Sequence, residues 1–306
     1  SAVGLDNLQL LCMYEKGRCF YLQCRWAEAA ECLKQFVDGY REPTYRAFGA
    51  YQLGVCYEML GQHDDALEYM NKVKDLVRKF FSFDSFAERK AAQFVARGGL
   101  SPLQRLLIHA DNQIFAREMD AAAETLARAV PLLAPQHAPA NSLSSLGLDR
   151  KSDPDVGLVG AHHSQQQRSV YHSHQQQPRQ RRGSKDKDKD SMAVEDAALF
   201  YYCLGRYQRA RELHAAAERS LKYVIELQLF VKEDVYLLPH AMCELGELYA
   251  DTKRVDEADR WLSRAQNDFS DYDFDKPLLR RISLTLDAIR ENDSQEADNL
   301  NVFTLF

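Results

Sequence analysis

The sequence predicts an all-α fold in which helix-turn-helix repeats stack into a right-handed α-solenoid, interrupted by a long disordered insert. First, apolar residues recur at i, i+3, i+4 and i+7 over long stretches, while the alternation typical of strands is nearly absent. Second, helix breakers stand where such helices should end, as at Gly98-Gly99 and Ser101-Pro102. Third, one short phrase occurs twice, with the same spacing to the small and large residues that follow it.

The repeated phrase is Leu53–Tyr57 in the first half of the chain and Leu245–Tyr249 in the second. In both copies the glycine is followed by an alanine, then by a large apolar residue and a small or β-branched one at matching offsets. Small residues on two neighbouring helices let the helices approach closely, which is the pattern of the tetratricopeptide repeat. These following residues are Ala66, Met70 and Val73 in the first copy and Ala258, Leu262 and Ala265 in the second.

Weaker copies of the pattern extend the repeat to most of the chain. Such repeats bury their apolar faces only by stacking on neighbours, and the stack presents a concave surface that usually binds other proteins. The copies are Gly17, Ala29, Leu33 and Phe36; then Asp111, Ile114, Ala123, Ala127 and Val130; then Ala198, Tyr201, Gly205, Ala210, His214 and Ala217.

Composition divides the chain into four segments. Residues 1–133 and 196–291 are predicted to be helical repeat blocks that together form one solenoid, and residues 292–306 a C-terminal tail. Residues 134–195 are rich in Gln, His and Ser and end in a KDKDKD run. Since this segment holds too few large apolar residues to offset the entropy of ordering it, we predict a disordered insert.

Charge and apolar content exclude several classes of protein. The net charge of −6 is mild and lacks the basic footprint of a nucleic-acid-binding protein. The longest apolar run is far shorter than the roughly 20 residues of a membrane span. The seven cysteines lie within apolar helical patterns and show no Cys-x-x-Cys spacing, so we expect reduced core thiols in a cytoplasmic protein.

No motif predicts an enzyme, and we expect no catalytic residue, no cofactor and no metal. Clustered histidines bind metals, but a stable site needs about four ligands in fixed geometry. The histidines of the insert have neither cysteine nor carboxylate partners in a suitable pattern. They are His137, His162, His163, His172 and His174.

The order of the blocks resembles the tetratricopeptide repeat protein 39 family, which includes the fungal inclusion-body clearance proteins. The residues that carry the resemblance run from Leu199 through Ala241 and on to Tyr272, with a second match at Phe86, Arg89 and Lys90. The resemblance implies a cytoplasmic, non-catalytic interaction protein, with links in some members to protein quality control and lipid handling. Typical members are longer at the N-terminus, so we expect this chain to be a piece of a longer protein.

The leading hypothesis is an adaptor that binds partner proteins along the inner face of the solenoid. Inner-face positions of tetratricopeptide repeats lie on the first helix of each pair, and an acidic groove favours basic or amphipathic partners. The candidate groove residues are Tyr51, Val55, Glu58, His240, Cys243 and Glu247.

An alternative is a peripheral membrane or lipid-droplet protein that uses the basic, phenylalanine-rich stretch 72–97, with Arg89 and Lys90 at the lipid surface. Against it, the phenylalanines of that stretch continue the apolar stripe of a strong repeat and are expected to pack between repeats. Separately, Arg181-Arg182-Gly183-Ser184 resembles a kinase site, which makes Ser184 a candidate for phosphorylation.

Overall fold

The computed structural model describes residues 2–78, 81–139, 143, 146–148 and 184–303, with backbone alone for 2–6, 184–190 and 292–303. The described residues form twelve α-helices and no strand, which confirms the predicted all-α repeat fold. The helices are α1 (Ala2–Leu22), α2 (Trp26–Gly39), α3 (Arg46–Met59), α4 (His63–Leu76), α5 (Ser82–Arg97), α6 (Pro102–Phe115), α7 (Met119–Ala129), α8 (Ser184–Ala210), α9 (His214–Glu226), α10 (Leu237–Asp251), α11 (Val255–Asn267) and α12 (Asp275–Phe303).

Ten of these helices form five hairpins: α1 with α2, α3 with α4, α6 with α7, α8 with α9, and α10 with α11. Hairpins stack through α2 against α3 and α9 against α10, as in a repeat solenoid. The remaining helices lie outside the pairing. Helix α5 packs on α3 and α4, and α12 covers α10 and α11 at the C-terminal end.

The five hairpins share one packing register. A small residue on the first helix faces a large residue sixteen positions later on the second, and both are buried. Its effect is clearest at Gly246, where an added Cβ would lie 2.6 Å from Cγ of Leu262. The pairs are Gly17 with Leu33, Gly54 with Met70, Ala110 with Leu126, Gly205 with Leu221, and Gly246 with Leu262.

The third pair corrects the sequence assignment by one residue. The pattern predicted there began at Asp111 with Ala123 and Ala127, whereas the fully buried residues are Ala110, Ala122 and Leu126. Alanine-rich α7 offers small residues on several faces, so the pattern alone does not fix which of them points inward.

The hairpin turns also share one backbone conformation. Each turn contains a residue with φ between 56° and 75°, and the next residue donates its N–H to the carbonyl five positions earlier. Only one of the five left-handed residues is a glycine. The five are Cys24, Gly61, Arg117, Glu212 and Lys253.

Both margins of the predicted insert are structured. At its start, the His137 ring Nδ1 lies 2.9 Å from the hydroxyl of Tyr223, and Tyr201 donates to the His137 carbonyl at 3.0 Å. At its end, α8 begins at Ser184 and so extends into the segment predicted to be disordered. Tyrosine hydroxyls that bind the His137 ring and the backbone carbonyls of His137 and Gly147 hold the first margin, an arrangement that apolar periodicity does not reveal. Residues 149–183, with four of the five insert histidines, lie outside the described residues.

All seven cysteines are free thiols, but the expectation that all lie in the core is wrong for Cys12 and Cys19. These two are exposed because they lie on a face of α1 that no described helix covers. Across the described residues, no helix combines the length and the apolarity that crossing a bilayer requires.

Candidate binding site between the two helical blocks

Helix α5 joins the two blocks through ion pairs. Lys90 Nζ lies 2.5 Å from Oδ2 of Asp234, and Arg89 Nη1 lies 2.9 Å from Oδ1 of the same carboxylate. Arg89 also pairs with Asp273. Burial tends to raise the pKa of Asp234, yet Lys90 and Arg89 outweigh it and hold that pKa below its usual value. We call these four residues the α5 clamp.

Glu195 of α8 positions the acidic partner of the clamp. Its carboxylate accepts the backbone N–H groups of Lys232, Glu233 and Asp234 at 2.7, 2.9 and 3.2 Å. Three bonds from successive amides fix the segment that precedes α10. A buried carboxylate on one repeat therefore presents Asp234 to the basic residues of α5.

Aromatic side chains reinforce the same junction. The ring of Phe86 on α5 lies 4.9 Å from Phe274, 5.8 Å from Tyr236 and 5.7 Å from Tyr51, measured between ring centroids. Phe83 packs edge-on against Phe274 at 5.0 Å. Such offset and edge-to-face pairs are favourable beyond the apolar area they bury. The phenylalanines of α5 thus pack between repeats.

A cavity of about 370 Å³, which we call the interblock cavity, lies beside this junction. Its walls come from both blocks: α1, α3, α5 and α6 on one side, and α8 with the segments around α10 and α12 on the other. It reaches the surface, because Phe83 at its rim is 36% exposed and Glu233 is also exposed. Its volume falls in the range of small-ligand pockets.

Two polar side chains of this cavity stand out. Gln52 is only 6% exposed, and its Oε1 accepts no hydrogen bond from any described residue. Asp196 accepts a bond from Gln104 Nε2 at 3.0 Å, and burial raises the pKa of its carboxyl group. Buried polar groups normally have partners, so Gln52 is an exception that calls for an explanation.

A second recess, of about 830 Å³, lies between α6, α8, α10 and α12 and is lined mainly by charged residues. Glu244 binds Arg281 Nη2 at 2.8 Å and Arg209 Nη1 at 2.9 Å. Burial tends to raise the pKa of Glu244, but the nearby arginines lower it on balance. Because these charges satisfy one another, the recess is a structural ion-pair network joining three helices.

The structure distributes the candidate groove residues over different environments. Tyr51 lines the interblock cavity, and Glu247 lines the second recess, where it binds Arg209 and Arg281. Val55 and Cys243 are fully buried and present no surface to a partner. A single groove through these positions is therefore absent from the described residues.

Glu58 and His240 are likewise inside the fold. Glu58 binds the His63 ring at 2.9 Å, Arg105 at 3.1 Å and the backbone N–H of Leu100 at 3.3 Å. His240 packs edge-on against Tyr202 and Tyr236, and burial lowers its pKa to about 4. Both side chains point toward neighbouring helices and not toward an open surface, which differs from the position that the analogy predicts.

The candidate lipid surface is also internal. Arg89 and Lys90 are committed to Asp234 and Asp273 in the clamp, so they do not form a free basic face. Ser184 is the first residue of α8, and its side chain lies outside the described residues. No group of three or more His, Cys, Asp or Glu side chains in the described ranges is arranged to hold a metal ion.

Sequence reasoning missed Gln52, Glu195 and Asp196. A signal for the last two was present, since a pair of acidic residues directly precedes the apolar run Ala197–Leu204 on the same helix. Charges at the edge of a buried helical stripe often mark an internal polar contact. For Gln52 no comparable signal exists, because one glutamine in a helix is ordinary.

Comparison with known proteins supports the family resemblance. The model of the family described as Iml2/Tetratricopeptide repeat protein 39 matches residues 1–123. That range holds Phe86, Arg89 and Lys90 but not the C-terminal segment, from Leu199 onward, that carried most of the sequence resemblance.

Tetratricopeptide repeat protein ttc-39B of Caenorhabditis elegans is 32% identical over 94 residues, which are 31% of this chain and 16% of the worm protein. The matched part thus spans well under two thirds of that relative. Two crystal structures of a Podosopora anserina putative kinesin light chain with nearly identical TPR-like repeats are 16% identical to this chain. They cover 84% of it and 93% of their own length, with a TM-score of 0.31. The family model thus covers the first 123 of the chain's 306 residues, and over this part the chain is similar to the Iml2/Tetratricopeptide repeat protein 39 family.

Proposed function

We propose that this chain is a non-catalytic adaptor that binds a short segment of a partner protein in the interblock cavity. The observation that carries the proposal is a surface-reaching cavity of about 370 Å³ with aromatic walls contributed by both blocks. Similarity of residues 1–123 to a tetratricopeptide-repeat family supports a protein-interaction scaffold, since such proteins are generally non-catalytic.

The size of the cavity argues for a few side chains of an extended segment as its occupant. A cavity at the low end of the range for small ligands holds anchor side chains and excludes a whole helix. Anchor residues that fill a desolvated pocket supply most of the energy in many protein interfaces. The remainder of the segment would run over the rim formed by Phe83 and Glu233.

The cellular setting follows from the family resemblance. We propose a cytoplasmic protein, and protein quality control and lipid handling are the processes in which to search for its partners. The mild net charge of −6 gives no reason to expect nucleic acid among them.

The proposal is tested by filling the cavity. Ile108 on α6 and Leu199 on α8 both line it and are partly exposed, so Ile108→Trp and Leu199→Trp each place a large ring in the space. Affinity capture with mass spectrometry compares these variants with Glu31→Trp, which adds the same ring at an exposed site on α2. We expect both cavity variants, and not the control, to lose a common set of partners while keeping their helical circular dichroism.

A deletion of residues 149–183 separates the cavity from the insert. This deletion leaves every described residue in place. Partners that persist in the deletion and vanish in both tryptophan variants support the cavity. Partners that vanish in the deletion and persist in both tryptophan variants would instead assign binding to the insert.

A further inference from the structure

The charges that line the interblock cavity do not balance. Its lining holds five carboxylates and three cationic side chains, and ion pairs with Arg206 and with Arg89 and Lys90 neutralise two of the carboxylates. The other three have no ion pair among the described residues. Two of the cations are already paired, Lys90 with Asp234 and Arg18 with Glu15 at 3.0 Å, whereas Arg97 acts on Asp196 only from beyond ion-pair distance. The carboxylates are those of Asp111, Glu195, Asp196, Glu233 and Asp234.

Two acceptors in the wall can accept further donors: the half-buried carboxylate of Asp196 and the buried amide oxygen of Gln52. Asp196 has no cation within 4 Å among the residues that the structure describes, and its one bond comes from the neutral amide of Gln104. The Oε1 atom of Gln52, across on α3, has no donor in the same set of residues. A buried acceptor left without a donor costs free energy, so its retention in a cavity wall points to a donor supplied from outside.

Aromatic rings complete the lining. Tyr51, Phe86 and Tyr236 lie in the cavity wall, and the guanidinium of Arg89 already lies 5.6 Å from the centroid of Phe86. Ring faces attract cations, and flat apolar walls suit the methylene stem of a long basic side chain. An acidic side chain would meet the carboxylates that have no ion pair, and a purely apolar one would leave Gln52 Oε1 without a donor and Asp196 without a cationic partner.

We propose that the interblock cavity binds the lysine or arginine side chain of an extended partner segment, with Asp196 and Gln52 accepting its N–H donors and aromatic rings contacting its stem. This inference rests on the proposed function and specifies the chemistry of the anchor residue. Asp196 supplies the charge preference, because this half-buried carboxylate accepts only one hydrogen bond among the described residues, from a neutral amide, whereas Glu195 beside it accepts three backbone N–H groups.

The probes are the N-acetyl methylamides of lysine, arginine, norleucine and glutamate. Norleucine retains the apolar stem of lysine without the ammonium group, and glutamate carries the opposite charge. Ligand-observed NMR titration of the intact chain measures the dissociation constant of each probe. We expect the lysine and arginine probes to bind at least about tenfold more tightly than the norleucine probe, and glutamate least well.

Two conservative variants test the assigned acceptors. Asp196→Asn keeps an oxygen for Gln104 but removes the charge, and should bring the lysine and norleucine probes to similar affinities. Gln52→Leu should weaken the lysine probe several-fold and leave the norleucine probe unchanged. Ile108→Trp and Leu199→Trp should abolish binding of every probe, which locates it in the cavity.

The outcomes separate this inference from the proposed function. Equal binding of lysine and norleucine, a preference for glutamate, or a lysine preference that survives Asp196→Asn would each overturn the cationic anchor. So would the absence of lysine and arginine binding up to about 10 mM. The adaptor proposal survives all four results if the tryptophan variants still lose their protein partners, and fails if they keep them.

Discussion

The ammonium group of Lys90 lies 2.5 Å from the carboxylate of Asp234, a residue 144 positions further along the chain. With Arg89, which contacts the same carboxylate, it ties a helix of the first block to the segment before α10. The relationship accounts for a basic, phenylalanine-rich stretch that otherwise resembles a membrane-binding surface. Here the charges and the rings serve a contact within the molecule.

Removal of the shared carboxylate should destabilise the fold. Asp234→Ala leaves two cations facing a buried space, and breaking a buried ion pair costs about 3–5 kcal/mol. Urea unfolding at pH 7 measures the loss. Glu88→Ala, on the exposed face of α5, is the control and should change stability by less than about 0.5 kcal/mol. A loss for Asp234→Ala no larger than for the control would show that the clamp contributes nothing to stability.

Two glycines of the shared packing register should differ in their tolerance of alanine. At Gly246 the new Cβ would meet Cγ of Leu262 at 2.6 Å and a backbone oxygen of Ala258 at 3.3 Å. At Gly54 it would meet the flexible end of Met70, at 2.9 Å from Cε. Overpacking costs about 1–3 kcal/mol, and alanine returns up to about 1 kcal/mol of helix propensity. Gly246→Ala should therefore lower the thermal midpoint clearly more than Gly54→Ala, and the reverse order would contradict the register described above.

His240 should make stability depend on pH. Burial, assisted by the charge of Arg281, lowers its pKa to about 4, whereas an unfolded histidine titrates near 6.5. Between these values the unfolded chain binds a proton that the folded chain excludes. Stability contributed by neutral His240 is thus complete above about pH 6.5 and declines as the pH falls toward 4, by about 1.4 kcal/mol per unit.

The variant His240→Phe isolates this contribution. Urea unfolding at pH 7 and pH 5 gives the pH-dependent loss for each protein. The loss should be smaller in the variant by about 2 kcal/mol, because phenylalanine takes up no proton. Identical losses in the two proteins would place the titration of His240 near that of an unfolded histidine.

Gln52→Leu should raise the stability of the fold although it weakens binding of the lysine probe. Replacing a buried acceptor that has no donor by an apolar group of similar size removes a penalty of about 1–3 kcal/mol. Thermal unfolding without any ligand should therefore show a higher midpoint than for the unsubstituted chain. A lower midpoint would mean that Oε1 already has a partner in the free protein, and would remove one support for the cavity as a binding site.

Much of the fold follows from the sequence because the repeat register is local. Gly54 and Met70, like Gly246 and Leu262, are sixteen residues apart, so a pattern within one hairpin suffices to predict them. The left-handed residues of the turns are harder to predict from the sequence, since only Gly61 is of a residue type that favours positive φ.

The site was far less predictable, because its parts are distant in sequence. Asp234 forms an ion pair with Lys90, and its backbone N–H donates to the carboxylate of Glu195. No spacing rule connects these three residues. Conversely, analogy with other repeats predicts Val55 and Cys243 at a surface, whereas close packing among neighbouring helices buries both. Pattern reasoning identifies which helices pair, whereas the curvature of the stack decides which faces remain open.

The α5 clamp changes how such a molecule comes apart. An array of repeats that contact only their neighbours unfolds from either end, one repeat after another. Here the α5 clamp links α5 to the segment before α10, so the hairpins between these two points are held at both ends. Unfolding one of these hairpins requires either that the ion pairs of the clamp break or that the hairpins linked by the clamp deform together. We therefore expect the hairpins between α5 and α10 to unfold together and not one after another.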